Sequence, residues 1–264
     1  MHNILVPIGV SKYAKTTLLY AIDVARHFES TVYVIDAYPA FSTLATITNV
    51  SSKLQSENIS RIKKMVASAT SEVDKIKFVS SEQDLIGAIK KLDQTIGIDL
   101  IVTATLNNDI NHDVFLGKIA GSLIKRTKIP VLVAPVESTF EAPKKMLLAF
   151  KTGEVKATST LNSLVLFQDH FKAKLKLLLV KVPGFAHRNH QLDDGLMQRA
   201  EQLLFSSNAT VYQGVLEHFQ EHKPDMLVAF KRERGFFEKL WETDIIFKKD
   251  FYCTVPLLVL KNKD

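Results

Sequence analysis

The chain has 264 residues, 46% hydrophobic and 23% charged, which is enough to bury a real core without disulfides or metals. Its net charge of +6 divides into +2 up to residue 140 and +4 beyond it, with no basic run of five or more, so nucleic acid is not expected as a partner. Only 10 residues are glycine, below the usual ~7%, and the one cysteine, Cys253, excludes an internal disulfide or a cysteine-based zinc site.

No run approaches the ~18–20 apolar residues of a membrane span, so no membrane partner is expected. The chain opens at once on Ile4, Leu5 and Val6 without the pattern of a secretory signal. The expectation is a cytoplasmic protein.

In chain order, the apolar run Asn3 to Ile8 (NILVPI) reads as a buried strand. Tyr13 to Phe28 follows, with Ala14, Leu18, Ala21, Ile22 and Ala25 at helical spacing. Thr31 to Asp36 (TVYVID) is β-branched and strand-like. A helix is expected from Lys53 to Val73, a short strand from Ile76 to Val79 and a helix from Glu82 to Thr95. Asp99 to Thr103 (DLIVT) is a strong strand, Gly117 to Thr127 a helix, and Pro130 to Ala134 (PVLVA) a last strand. These strands are continuous apolar runs, the mark of a parallel sheet covered on both faces.

Val136 to Lys144, with Pro135 and Pro143 near its ends, reads as a linker, after which the plan restarts. Met146 to Phe150 answers the first strand and Leu175 to Val180 the second. A helix is expected over Leu192 to Ser206, a third strand over Thr210 to Gln213 and a helix over Val215 to His222. Asp225 to Phe230 (DMLVAF) matches Asp99 to Ala104 (DLIVTA) in type, and Val255 to Leu260 matches the strand after Pro130. The period between Asp99 and Asp225 is that of a duplicated domain, not of a solenoid unit. The expected domains are residues 1–136 and 145–264.

The opening ILVPIGVS, the DLIVTA segment and the later FLGKIAGSLIKRTKIPVLVAP, with the repeat of this plan, resemble the universal stress protein family in its tandem two-domain form. The resemblance implies two tandem open parallel five-stranded α/β sheets with helices on both faces, a Rossmann-like, adenine nucleotide alpha hydrolase-like fold. It also implies pairing through the final strands, here Val131 to Ala134 with Val255 to Leu260. In nucleotide-binding members, ATP sits at the carboxyl ends of the strands, where ligands of open α/β sheets collect. There an Asp closes the first strand, and a pattern of Gly, two residues, Gly, nine residues, Gly and then Ser or Thr follows the fourth.

Mapped onto this chain, Gly9 stands in place of the Asp; Ala104, Asn107 and Gly117 stand at the glycine positions, with Lys118 replacing the hydroxyl residue. In the second half Lys151 replaces the Asp, Phe230, Glu233 and Thr243 take the glycine positions, and Asp244 follows. One glycine of six remains. Asn tolerates left-handed backbone and Lys118 can attract phosphate, so ATP in the first half stays open as the alternative. In the second half Phe230 would crowd a triphosphate and Glu233 would repel it. Gly117-Lys118 is not a P-loop, because His112 stands where that motif needs a glycine.

Other groupings carry plainer readings. His218 to His222 (HFQEH) fits the H-x-x-E-H pattern of a zinc-peptidase class. The Lys223-Pro224 stop and the short remaining tail favour a solvated helix end instead. His187, His190, Asp193 and Asp194 read as a loop and a helix cap in preference to a metal site. Phe236, Phe237, Leu240 and Trp241 read as interface or core filling rather than a nucleic-acid platform, and Cys253 as buried and inert. Ser11 has no histidine near it in sequence except His2, on the far side of the first strand.

The function expected is that of a non-enzymatic stress-response protein with no required cofactor, acting through protein interaction or ligand sensing. Its partners are expected to be proteins, including a second copy of itself. The alternative is an ATP- or AMP-binding regulator using the altered first site.

Overall fold

The computed structural model describes the chain except residues 10, 38–47, 71–74, 80–83, 106–112, 152–154, 156, 184–191, 232–244, 249–250 and 262–264. It divides into two compact units, one of residues 1–104 with 136–140 and one of residues 105–135 with 141–264.

The first unit runs β1 (Asn3–Ile8), α1 (Ala14–Phe28), β2 (Thr31–Asp36), α2 (Thr48–Ala69), β3 (Ile76–Val79), α3 (Leu85–Ile96) and β4 (Leu100–Ala104). Its strands lie in the order β3-β2-β1-β4, and each pairing is parallel. Ile4, Leu5, Val6, Leu100, Ile101 and Val102 are wholly buried, as strands covered on both faces must be. The stripe Ala14, Leu18, Ala21, Ile22 and Ala25 is the buried side of α1, so the helical spacing of the sequence is realised in packing. Glu29 ends α1 in a left-handed conformation and donates back to the Arg26 carbonyl. Asp84 caps α3 by accepting from Gly87 N at 2.8 Å, and Gly97, at φ 66°, closes it.

The second unit contains β5 (Val114–Leu116), α4 (Lys118–Arg126), β6 (Val131–Ala134), β7 (Lys145–Phe150), a 3₁₀ turn (Thr158–Leu161) and α5 (Asn162–Phe171). It continues with β8 (Lys174–Lys181), α6 (Asp194–Arg199), β9 (Gln202–Ser207), α7 (Val211–His222), β10 (Met226–Lys231), β11 (Ile246–Phe247) and β12 (Leu257–Lys261). The order is β6-β12-β10-β7-β8-β9. All these pairings are parallel except β6 with β12, which run antiparallel with Leu258 opposite Leu132. The final strands of the two repeats are therefore hydrogen-bonded partners, which satisfies amides and carbonyls that would otherwise line an exposed edge. β5 and β11 form a small antiparallel pair. The first repeat supplies β1 to β4 and β6, and the second supplies β7 to β10 and β12. The fold is an α/β fold built on open sheets of mostly parallel strands.

Three expectations in the second repeat need correction. The helix expected over Leu192 to Ser206 is only Asp194–Arg199, because Gln202–Ser207 (QLLFSS) is the third strand. Thr210 to Gln213 is not that strand; Thr210 caps α7, its hydroxyl accepting from Gln213 N while the Gln213 side chain accepts from Thr210 N. A Thr-x-x-Gln capping box lies within the β-branched run that suggested a strand. Finally, α5 fills the stretch after β7 for which no element was expected, and it buries Leu164 and Phe167. Among the described residues no helix is long and apolar enough to cross a membrane.

Candidate functional site

β1 and β4 are adjacent parallel strands, with Ile4 opposite Leu100 and Leu5 opposite Ile101. Gly9, just past β1, and Ala104, the last residue of β4, therefore sit at the same carboxyl edge, and both are half-buried. A residue the sequence reading missed comes to this edge from α2. Arg61 donates through Nη1 to the Gly9 carbonyl at 3.3 Å. Its Nε and Nη2 are buried with no hydrogen-bond partner among the described residues. Where the family resemblance implies an acid, this chain has Gly9, its carbonyl faced by a guanidinium. A buried guanidinium with idle N–H groups is a costly arrangement that an anion would relieve.

Gly117 and Lys118 belong to the second unit. Gly117 is the N-cap of α4 without a side-chain cap, and Lys118 is its exposed first residue. Asn107 lies outside the described residues.

Of the equivalent positions of the second repeat, Phe230 and Lys151 are among the described residues. Phe230, at the first glycine position, is 6% exposed at the end of β10. Beside it in sequence, Lys231 Nζ donates to the Lys125 carbonyl at 2.6 Å. Lys261, 2% exposed, donates to the carbonyls of Leu123 at 3.3 Å, Thr127 at 3.1 Å and also Ile124. Two cations thus serve the carboxyl end of α4, where free carbonyls and the helix dipole favour positive charge. Burial and the neighbouring Lys231 nonetheless hold the Lys261 ammonium well below the usual lysine range. Lys151 is half-buried after β7; Glu233, Thr243 and Asp244 fall outside the described residues.

Of the remaining sequence candidates, Asp193 is a helix cap, accepting from Leu196 N at 2.9 Å, as expected. His187, His190, Phe236, Phe237, Leu240 and Trp241 lie outside the described residues. Cys253 is buried, its thiol donating to the Val255 carbonyl, and burial pushes its pKa up to about 12. It is a packed, unreactive thiol. Ser11 is exposed, with its Oγ accepting from Tyr13 N. The solvated reading of HFQEH holds for Glu217 and Glu221 but not for its histidines. His218 and His222 are half-buried and stacked, with ring centroids 5.5 Å apart.

This α/β plan has relatives among known proteins. The family model described as "Universal stress protein family" matches residues 1–135. A universal stress protein from Archaeoglobus fulgidus DSM 4304 is similar over 99% of this chain and 97% of its own, at 14% identity and TM-score 0.66. A functionally unknown protein from Pseudomonas aeruginosa PAO1 is similar over 100% of this chain and 94% of its own, at 14% identity and TM-score 0.56. The universal stress protein UspA from Lactobacillus plantarum covers 52% of this chain and 97% of its own, at 19% identity and TM-score 0.42. No curated protein matches. The chain belongs to the universal stress protein family, and its role lies in the stress response.

Proposed function

We propose that this member is a non-enzymatic stress-response protein that acts through ligand sensing or protein interaction, with no ATP held by its second repeat. The observation that carries this reading is the buried Phe230 at the end of β10. Nucleotide binding there needs a backbone bare enough for ribose and phosphate to approach, and a bulky buried residue at that position works against it. The test is incubation of the purified chain with ATP, followed by product analysis. The expected result is no hydrolysis above the protein-free rate, and turnover lost on Lys118→Ala would overturn the reading.

A second reading is favoured by Arg61, whose Nε and Nη2, without partners among the described residues at the carboxyl edge of β1, suit the phosphate of an adenine nucleotide. On this reading the first repeat binds ATP or AMP as a regulator. Calorimetric titration with ATP then gives no more than one site per chain, weakened by Arg61→Met. Heat that is unchanged in that variant, or absent from the wild type, removes it.

A further inference from the structure

We propose that His218, Glu221 and His222 form a binding site for a divalent first-row transition metal of the zinc class, open on one side to the cleft beside it. The site lies at the opposite end of the second unit's strands from the nucleotide position and is independent of the proposed function.

The three residues stand at i, i+3 and i+4 on α7, so they share one helix face. One ligand atom from each lies within 4.8 Å of the other two. A tetrahedral ion with bonds of ~2.0–2.2 Å draws such atoms to ~3.4 Å, a closure that side-chain rotation can supply. Both histidines carry a nitrogen with unmet bonding capacity: His218 Nδ1 and His222 Nε2 are buried and have no hydrogen-bond partner among the described residues. Buried polar atoms are nearly always satisfied, so two in one place ask for a common partner. His222 Nε2 is also 3.8 Å from Glu221 Oε1, which adds a carboxylate oxygen to two imidazole nitrogens. That donor set suits zinc and its neighbours better than magnesium or calcium. Glu221 and His222 stand in the last turn of α7, with His218 one turn before them, at the end where the helix dipole favours a cation.

The cleft of about 310 Å³ beside His222 is lined by Glu221, Lys145, Lys174, Lys176 and Glu201. Glu201 is held by Lys174 at 2.7 Å and is not a fourth ligand. The cleft that His222 and Glu221 line has room for a small exogenous anion or water as a further ligand. Lys176 Nζ lies 3.4 Å from His222 Nδ1. While the ammonium donates there, the imidazole proton sits on Nε2. Metal at Nε2 moves that proton to Nδ1 and turns Lys176 away, with no net proton released. Lys176 is thus a brake on the site.

Equilibrium dialysis of the full chain against zinc chloride, with excess magnesium present, tests this. One zinc per chain is expected, weakened by about tenfold or more in His218→Ala and His222→Ala. Lys176→Met should tighten binding several-fold, an effect that a role in folding alone would not produce. Zinc uptake that persists in the double histidine variant, no uptake by the wild type, or weaker binding in Lys176→Met would each overturn the proposal. If the alanine variants fail to fold, cobalt(II) added to the wild type decides. An intense tetrahedral visible band supports the site, and the spectrum of aqueous cobalt alone rejects it.

Discussion

The carboxylate of Asp99 accepts from the backbone N–H groups of His2 and Asn3, at 2.6 and 3.1 Å, at the start of β1. The carboxylate of Asp225 accepts in the same way from Lys144 and Lys145, at 3.0 and 2.9 Å, at the start of β7. Each Asp also donates its own N–H to that first strand, to the carbonyl of Asn3 or of Lys145. The repeated D-L-I-V and D-M-L-V segments are thus a repeated fastening of the fourth strand to the first. Hydrogen bonds to a charged group contribute about 1.5–3 kcal/mol. Asp225→Ala should therefore lower stability by about 1–3 kcal/mol in urea denaturation, and Asp99→Ala by a similar amount.

Gly214, inside α7, packs against β8. A Cβ there would stand 3.0 Å from both methyl carbons of Val180 and 3.1 Å from Ser206 Oγ. Alanine gains about 1 kcal/mol in helix propensity, but overpacking a fully buried valine costs about 1–3 kcal/mol. Gly214→Ala should leave the protein less stable by thermal melting. A higher melting temperature would mean that β8 yields.

Lys261 ties β12 to the carboxyl end of α4. Lys261→Met leaves the Ile124 and Thr127 carbonyls without this donor, for a loss of about 1–3 kcal/mol at pH 7. Because the folded pKa lies below the unfolded value, the unfolded chain holds more protons between the two. Wild-type stability should rise with pH across that alkaline window and level off near the unfolded lysine value. The methionine variant should lack that slope, which denaturation at pH 8, 9 and 10 will report.

His222 also has a lowered folded pKa, facing Lys176 on β8 and His218 and Glu221 on α7. As pH falls through the ordinary histidine range, the unfolded chain takes up a proton that the folded chain resists. Stability should drop on acidification from pH 7 and stop dropping below the folded pKa. His222→Gln, measured with a chelator present, should flatten this part of the curve.

The strands of the first repeat were legible because each is a continuous apolar run between turns, and the duplication was legible because Asp99 and Asp225 head matching runs. The boundaries from Leu192 to Gln213 were not. QLLFSS carries no strand alternation strong enough to separate it from the helix before it, and the Thr210 cap looked like a strand start. Arg61 was invisible as a site residue because it lies 52 positions from Gly9.

The sequence by itself determined the α/β plan, the duplication and the absence of glycine at five of the six positions where the family resemblance implies one, since hydrophobic period and residue type are local properties. Tertiary structure alone decided which polar groups are buried and what they face. Lys261 stands in a polar tail beside Asn262 and Lys263, yet it is buried by carbonyls 134 to 138 positions away. The histidines of HFQEH looked solvated until β8 came to lie beside them with Lys176. Burial depends on which segments meet across long sequence separations, and no local pattern encodes that meeting.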